Sequence, residues 1–299
     1  MTHSLNQNSK LSTIKGLASA FALSGLFGLS VTAQAEPLSV QPVIASAHGF
    51  HVSSTLVKGQ KEMILIDGQF LQSDAHRLVA QMLETGLSLK SILITHAHPD
   101  HYFGLDVVLK AFPGTPIYAA AEVVKEMAIM SPKKVAQWKP VFGHNLTNKP
   151  VTAKALTTDV TMLEGEEIQL IHIGQGDTHN SSVFYIPSAK TLVAGDLTYK
   201  DIHPWTAETD NHSREEWAQS LQKIQKLGAK NIISGHMLAN SSTDINDVLS
   251  FNQEYLKQFN HAVDTSNNAE TLQNYMLDKF PTLQLPIIAQ IGAKVAKPQ

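Results

Sequence analysis

Thr95-His96-Ala97-His98-Pro99-Asp100-His101 stands directly behind Ser91-Ile92-Leu93-Ile94, a short apolar run of the kind a strand buried on both faces requires. Four side chains able to hold a metal fall within positions 96–101. Extended backbone alternates its side chains, so His96 and His98 project to one side. Pro99 turns the chain, and Asp100 and His101 then face a second point. That arrangement can serve two cations a few ångströms apart. Two later strand ends carry similar residues: Val193-Ala194-Gly195-Asp196 and Ser234-Gly235-His236. Separate strand ends that each deliver a His or an Asp assemble a metal site along one edge of a sheet.

Around this motif short apolar strands alternate with amphipathic helices. Ser53–Val57 and Met63–Ile66 pattern as paired strands joined around Lys58-Gly59, the second ending at Ile66-Asp67-Gly68. Leu71, Ala75, Leu78, Val79 and Met82 share one face of a helix over 71–83. Helices are predicted over 104–111 and 120–137, with a short strand at Ile117-Tyr118 between them. The stretch 138–166, with Pro140, Gly143, Asn145, Asn148 and Pro150, patterns as loop followed by edge strands. Strands follow over 168–173, 182–186 and 191–194. Ser213-Arg214-Glu215-Glu216 has capping-box spacing and opens a helix whose Trp217, Leu221 and Ile224 face a core. A strand at 231–234 and helices near 244–263 and 269–280 complete the pattern, and the Pro-containing tail beyond has no assignment. Two β-rich halves, each with helices, imply a single domain over 36–299 built as two sheets face to face with helices outside.

Composition narrows the function. The 299 residues are 43% hydrophobic and 16% charged, which is globular rather than disordered. A net charge of −3 offers no basic field for nucleic acid. The absence of Cys removes disulfides, thiol nucleophiles and thiolate metal ligands together. Residues 1–35 have the three parts of a secretory signal: Lys10 and Lys15, an uncharged apolar stretch from Gly16 to Val31, and Ala33-Gln34-Ala35 before Glu36. That stretch is shorter than the ~20 residues of a span and contains three Gly, so it predicts a cleaved leader rather than an anchor. Cleavage after Ala35 removes two lysines and no acid, lowers the net charge to −5, and sends the chain to the periplasm or outside the cell. The expected partner is a small-molecule substrate.

The motif H-x-H-x-D-H at 96–101, Ile66-Asp67-Gly68, Gly195-Asp196 and Gly235-His236 occur in an order that resembles the metallo-β-lactamase-fold hydrolase superfamily, over about Gly49 to Ala239. The resemblance implies an αββα sandwich of the α/β class and two divalent metal ions, usually zinc. It implies His96 and His98 as ligands of the first metal, Asp100, His101 and His236 of the second, and Asp196 as the bridge. Asp196 resembles the glyoxalase-like and lactonase-like branches, and the missing Cys excludes the branch that uses a Cys ligand. One turn departs from the family. Where relatives carry a third His for the first metal, this chain has Gly176-Asp177-Thr178-His179-Asn180-Ser181. Strand register counted back from Tyr185-Ile186-Pro187 favours Asp177 as the ligand. The alternative is a local shift that brings in His179. An added carboxylate makes the site harder, so manganese or iron would be tolerated better than in an all-His site.

The resemblance further implies hydrolysis. A metal-held water loses its proton near neutral pH and attacks a carbonyl, with Asp100 orienting it or shuttling the proton. An ester, lactone or thioester is the expected substrate. The alternatives are a Cys-free periplasmic β-lactamase and, from another reaction class, a mononuclear-iron persulfide dioxygenase. Around this set, Asp67 reads as a strand-end carboxylate that orients a His through its other ring nitrogen. Tyr199, His203 and Trp205 read equally as a pocket wall or as loop packing. His144 reads as a loop residue, and Lys133 and Lys134 as a solvated pair.

Overall fold

Runs such as Met63-Ile64-Leu65-Ile66 are too continuous in apolar residues to face water on either side, and the structure covers them on both. The computed structural model describes residues 36–298. Its first sheet comprises β1 (Ser39–Ile44), β2 (Ser53–Lys58), β3 (Glu62–Ile66), β4 (Ser88–Ile94), β5 (Ile117–Ala119) and β6 (Lys154–Ala155), in that spatial order. Strands β1 to β3 are antiparallel, and β3 to β6 run parallel. Parallel neighbours need crossovers. Helices α1 (Gln72–Glu84), α2 (Leu105–Ala111) and α3 (Ala121–Phe142) supply them.

The second half contributes β7 (Val160–Leu163), β8 (Glu166–Gly174), β9 (Ser181–Ile186), β10 (Thr191–Val193), β11 (Tyr199–Lys200), α4 (Asn211–Gln225), β12 (Asn231–Ile233) and β13 (His236–Met237). The second sheet has the order β12-β10-β9-β8-β7, and β11 and β13 form a separate parallel pair. Three helices end the chain: α5 (Ile245–Thr265), α6 (Ala269–Lys279) and α7 (Pro286–Ala296). As predicted, 138–166 ends in edge strands: β6 closes one sheet and β7 the other.

One apolar cluster joins Ile64 to Ile66 and Ile92 to Ile94, all fully buried, with Leu78 and Met82 of α1 and with Leu163, Ile168 and Phe184 of the second sheet. A second cluster packs Trp217, Leu221 and Ile224 of α4 on Ile173, Val183 and Leu192. The result is the four-layer αββα sandwich. Among the described residues no helix is long and apolar enough to cross a membrane. The leader assigned to 1–35 lies outside the described residues.

Three local expectations are corrected. Helix α3 does not stop at Gln137 but runs to Phe142 through Pro132 and Pro140. Proline removes a helix donor, but here packing prevails: Trp138 and Phe142 stack with Phe50 and Phe70 at centroid distances of 5.3–6.3 Å. The cap of α4 is Asp210, not Ser213. Asp210 accepts from the Ser213 backbone N–H at 2.8 Å, and the Ser213 hydroxyl accepts from the Asp210 N–H at 2.8 Å, so the box begins three residues earlier. The unassigned tail is a helix, α7, with Pro286 in its first turn, where a missing N–H costs nothing.

The α4 cap is directly testable. Asp210→Ala should lower the midpoint of urea unfolding, because the Ser213 N–H loses its acceptor, whereas Glu216→Ala should leave that midpoint close to the parent's.

Candidate metal centre

Each side chain at this centre is brought in by a strand end. Strand β4 ends at Ile94, and the motif 95–101 follows it over the rim of the first sheet. Strand β10 ends at Val193 and delivers Asp196 from a short turn. Strand β12 ends at Ile233 and delivers His236. The turn between β8 and β9 delivers Asp177. Hydrogen bonds stitch the two sheets together at this edge: the Ser182 hydroxyl donates to the Thr95 carbonyl at 2.6 Å, and the Ser53 N–H to the Gly235 carbonyl at 2.7 Å. The two glycines are steric requirements. A Cβ on Gly235 would collide with the Asp196 carboxylate, and one on Gly195, whose φ is +50°, would collide with the Thr95 hydroxyl.

The imidazoles are held in defined tautomers from outside. His101 Nδ1 donates to Asp67 Oδ2 at 2.8 Å. The single Thr95 hydroxyl proton goes to the same oxygen at 2.8 Å, so that hydroxyl accepts from His96 Nδ1 at 3.0 Å. His236 Nδ1 donates to the Phe50 carbonyl at 2.7 Å. His98 is reversed: its Nε2 points to Glu208 at 3.4 Å and its Nδ1 faces inward. Four ring nitrogens thereby face the centre, and with a cation in place of a proton each offers it a lone pair: Nε2 of His96, His101 and His236, and Nδ1 of His98. Asp67 adopts a left-handed φ of +60°, a costly conformation for a non-glycine residue, and its carboxylate also accepts the Thr95 N–H at 2.9 Å.

The donors form two groups. His96, His98, Asp177 and Asp196 make one, and Asp100, His101 and His236 the other, the ligand atoms of each within 4.8 Å of one another. Asp196 reaches both. Its Oδ2 lies 3.6 Å from His96 Nε2 and 3.3 Å from His236 Nε2, and its Oδ1 lies 3.0 Å from His101 Nε2. Asp177 Oδ2 is 3.0 Å from His98 Nδ1. His179 is exposed and belongs to neither group. Register in β9 therefore places Asp177, not His179, at the centre.

The donor set fits divalent cations. His96 Nε2, His101 Nε2, Asp177 Oδ1 and Asp196 Oδ1 are buried polar atoms without a hydrogen-bond partner, the arrangement expected of ligands for a cation. The electrostatics agree. Burial opposes charge on His98 and His101, yet Asp177 at the first, and Asp196 and Asp67 at the second, raise both imidazoles well above their usual range. Burial likewise opposes ionisation of Asp196, and His236, His101 and His96 overcome it and hold that carboxyl well below its usual range. The centre is thus a low-dielectric site that favours positive charge. A buried His/Asp cluster of this kind suits divalent metal binding.

Tyr199, His203 and Trp205 all line the cavity over this centre. Tyr199 also makes polar contacts: its hydroxyl donates to Asp196 at 2.9 Å and lies 3.2 Å from Asp177, and its ring stacks on His236 at 5.3 Å. Burial, then Asp177 and Asp196, push its pKa well above 10, so it stays a donor. His203 meets the Tyr255 hydroxyl at 3.1 Å, and burial pulls its pKa down to about 4. His144 is exposed and does not line this cavity. Lys134 is not merely solvated: its Nζ pairs with Glu208 Oε1 at 3.1 Å. Glu208, absent from the residues singled out by sequence, is raised by burial but held down at about 2 by His98 and Lys134. Nothing in the spacing around Glu208 signals its role, because its partners are 110 and 74 residues away.

A four-layer sandwich with a two-group His/Asp centre on its sheet edge defines a metal-binding protein of the metallo-hydrolase class. The family model of the metallo-beta-lactamase superfamily matches residues 48–236, and the chain belongs to that superfamily, whose members are mostly metal-dependent hydrolases. A metallo-beta-lactamase family protein from Thermus thermophilus superimposes with a TM-score of 0.60 at 18% identity, covering 85% of this chain and 91% of that one. A metallo-beta-lactamase from Pontibacter korlensis gives 0.55 at 21% identity, covering 76% and 97%. TMB-1 gives 0.54 at 19% identity, covering 74% and 97%. At these identities the likeness is one of fold. No curated protein matches the chain in sequence.

Three substitutions separate the ligands from their neighbours. Asp177→Ala should lower the metal retained per chain after dialysis, read by elemental analysis, while His179→Ala should retain the parent content. Glu208→Ala should weaken metal affinity about 10- to 100-fold in competition with a chelating dye, because His98 loses the acceptor that orients it.

Proposed function

We propose that this protein is a hydrolase that uses two divalent cations, zinc by preference and manganese or iron as substitutes, to cleave an ester, lactone or thioester. The observation that carries the reading is the position of Asp196, one carboxylate within 3.0–3.6 Å of ring nitrogens from both donor groups. A site for a single iron would have no use for the second group, Asp100, His101 and His236, which weighs against a persulfide dioxygenase.

Cations held by these residues would lower the pKa of water to about 7 and polarise the substrate carbonyl. The chain's own groups do the rest. Asp100 Oδ2 lies 3.2 Å from His236 Nε2, and its side chain, 14% exposed, borders the cavity. It is placed to accept the proton of the attacking water and return it to the leaving atom. Water adds across the acyl bond: the carbonyl carbon gains the hydroxyl, and the leaving oxygen or sulfur gains the proton. Tyr199 holds Asp196 and Asp177 in register as the charge moves.

A β-lactamase is the second reading, favoured by the name of one structural relative, the metallo-beta-lactamase from Pontibacter korlensis. Against it stands the charge at the cavity. Lys134 is the one Lys or Arg among the described residues lining it, and it is already paired with Glu208. The carboxylate of a bicyclic β-lactam would therefore find no free side-chain cation on the cavity lining outside the metal centre.

Dialysis against a strong chelator should abolish hydrolysis of ester, lactone and thioester substrates, and zinc should restore it. Turnover of cephalosporins faster than every member of that panel would instead favour the second reading. Export is proposed alongside: N-terminal sequencing of protein recovered outside the cytoplasm should begin at Glu36.

A further inference from the structure

The cavity over the metal centre has a polar floor and apolar walls. It holds about 270 Å³, with His98, Asp100, Asp196 and His236 at one end. One wall is the ring cluster of Phe50, Phe70, Trp138 and Phe142; the other is Ile288 and Ile291 of α7. The apolar character continues to the rim. Val141 of α3 and Ile287 of α7 both line the cavity yet are 65% and 48% exposed. Apolar surface kept open beside a reactive centre is maintained for a ligand that covers it. Lys134, the one Lys or Arg on this lining, is already bound to Glu208, so an anionic group on the ligand would shed its hydration among apolar walls without a free side-chain cation to meet it.

We infer that the substrate carries an uncharged aliphatic chain, seated against the ring cluster of Phe50, Phe70, Trp138 and Phe142 and the isoleucines of α7, with its scissile carbonyl at the metal centre. The inference rests on the hydrolase reading for the carbonyl, but the chain-binding site stands on the walls alone. Helices α3 and α7 then set specificity, and the sheet edges set the reaction.

Two measurements on the metal-loaded protein test this separately. In the first, straight-chain alcohols from butanol to octanol, which cannot be hydrolysed, are titrated while tryptophan fluorescence is followed, since Trp138 and Trp205 line the cavity. Affinity should rise about fourfold per added methylene, the factor given by about 0.8 kcal/mol of burial. In the second, kcat/KM is measured for ethyl esters and γ-lactones of increasing alkyl length. It should climb by a similar factor until the cavity is full, and a terminal carboxylate on the chain, as in monoethyl adipate against ethyl hexanoate, should lower it at least tenfold. Ile291→Trp, which narrows the cavity, should cut the ratio of long-chain to short-chain kcat/KM at least tenfold. Hydrolysis without any dependence on chain length, together with no graded binding of alcohols, would overturn the inference and leave the hydrolase reading intact. Graded binding of alcohols with no turnover of any ester, lactone or thioester would uphold the cavity and sink the hydrolase.

Discussion

Four imidazoles can direct their lone pairs at one small volume only if each is held by its other nitrogen, and everything at this centre follows from that constraint. Asp67 meets it for two rings, directly for His101 and through the Thr95 hydroxyl for His96. A backbone carbonyl meets it for His236 and Glu208 for His98. The ring orientations are consequently set by protein groups before any ligand arrives, as in other metal sites in which an outer acceptor orients the ring. The left-handed backbone at Asp67 has its physical reason here. An extended residue would not bring one carboxylate within reach of the Thr95 amide, the Thr95 hydroxyl and the His101 ring together.

Such a centre is destabilising unless it is compensated. Buried carboxylates without positive partners cost several kcal/mol each. Asp177 and Asp196 are almost fully buried, and each keeps an oxygen without a hydrogen-bond partner. The fold tolerates them because the elements carrying them are anchored elsewhere, in the core between the sheets and in the α4 cluster around Trp217. Trp217 also ties the Asp196 turn down, donating from Nε1 to the Leu197 carbonyl at 2.8 Å. Rigid sheets thus hold in place a group of charges that would otherwise relax apart.

Legibility in the sequence followed the range of the interaction. The motif at 96–101 is local: a buried strand, alternation and a proline turn suffice to see its geometry. Asp196 and His236 were readable because each follows a strand with a glycine before it, and the structure shows both glycines to be required by close approach. Asp177 was readable through strand register counted back along β9, which pairs without a shift with β10, the one irregularity lying on the β8 side between His172 and Gly174. What escaped was long-range. Glu208 sits in an irregular loop and acquires its role from His98 and Lys134. Helix α3 passes two prolines because aromatic rings from β1–β2 and β3–α1 connections hold its end, and no window of local sequence contains them. The cap of α4 was misplaced because two candidate boxes overlap at Ser213, and only the backbone shows which residue is extended.

The division between legible and illegible parts coincides with a division of labour. Every residue that touches the proposed reacting atoms lies at or just after a strand end, where backbone hydrogen bonding fixes position to a fraction of an ångström. The cavity's aromatic and isoleucine walls come largely from α3, α7 and the β1–β2 and β3–α1 connections, outside the strands of the two sheets. Packing tolerates substitution of one apolar residue by another far better than the metal centre tolerates movement of a carboxylate. Substrate choice can therefore drift at the helices while the strand ends stay fixed, and a shared fold by itself says little about what any one member cleaves. For this chain the walls are apolar, and those walls also lower the dielectric over the centre. Charge–charge interactions at Asp100 and Asp196 are correspondingly stronger than they would be in an open, hydrated cleft. The same surfaces that select an aliphatic group thereby strengthen the electrostatics on which cleavage of its carbonyl depends.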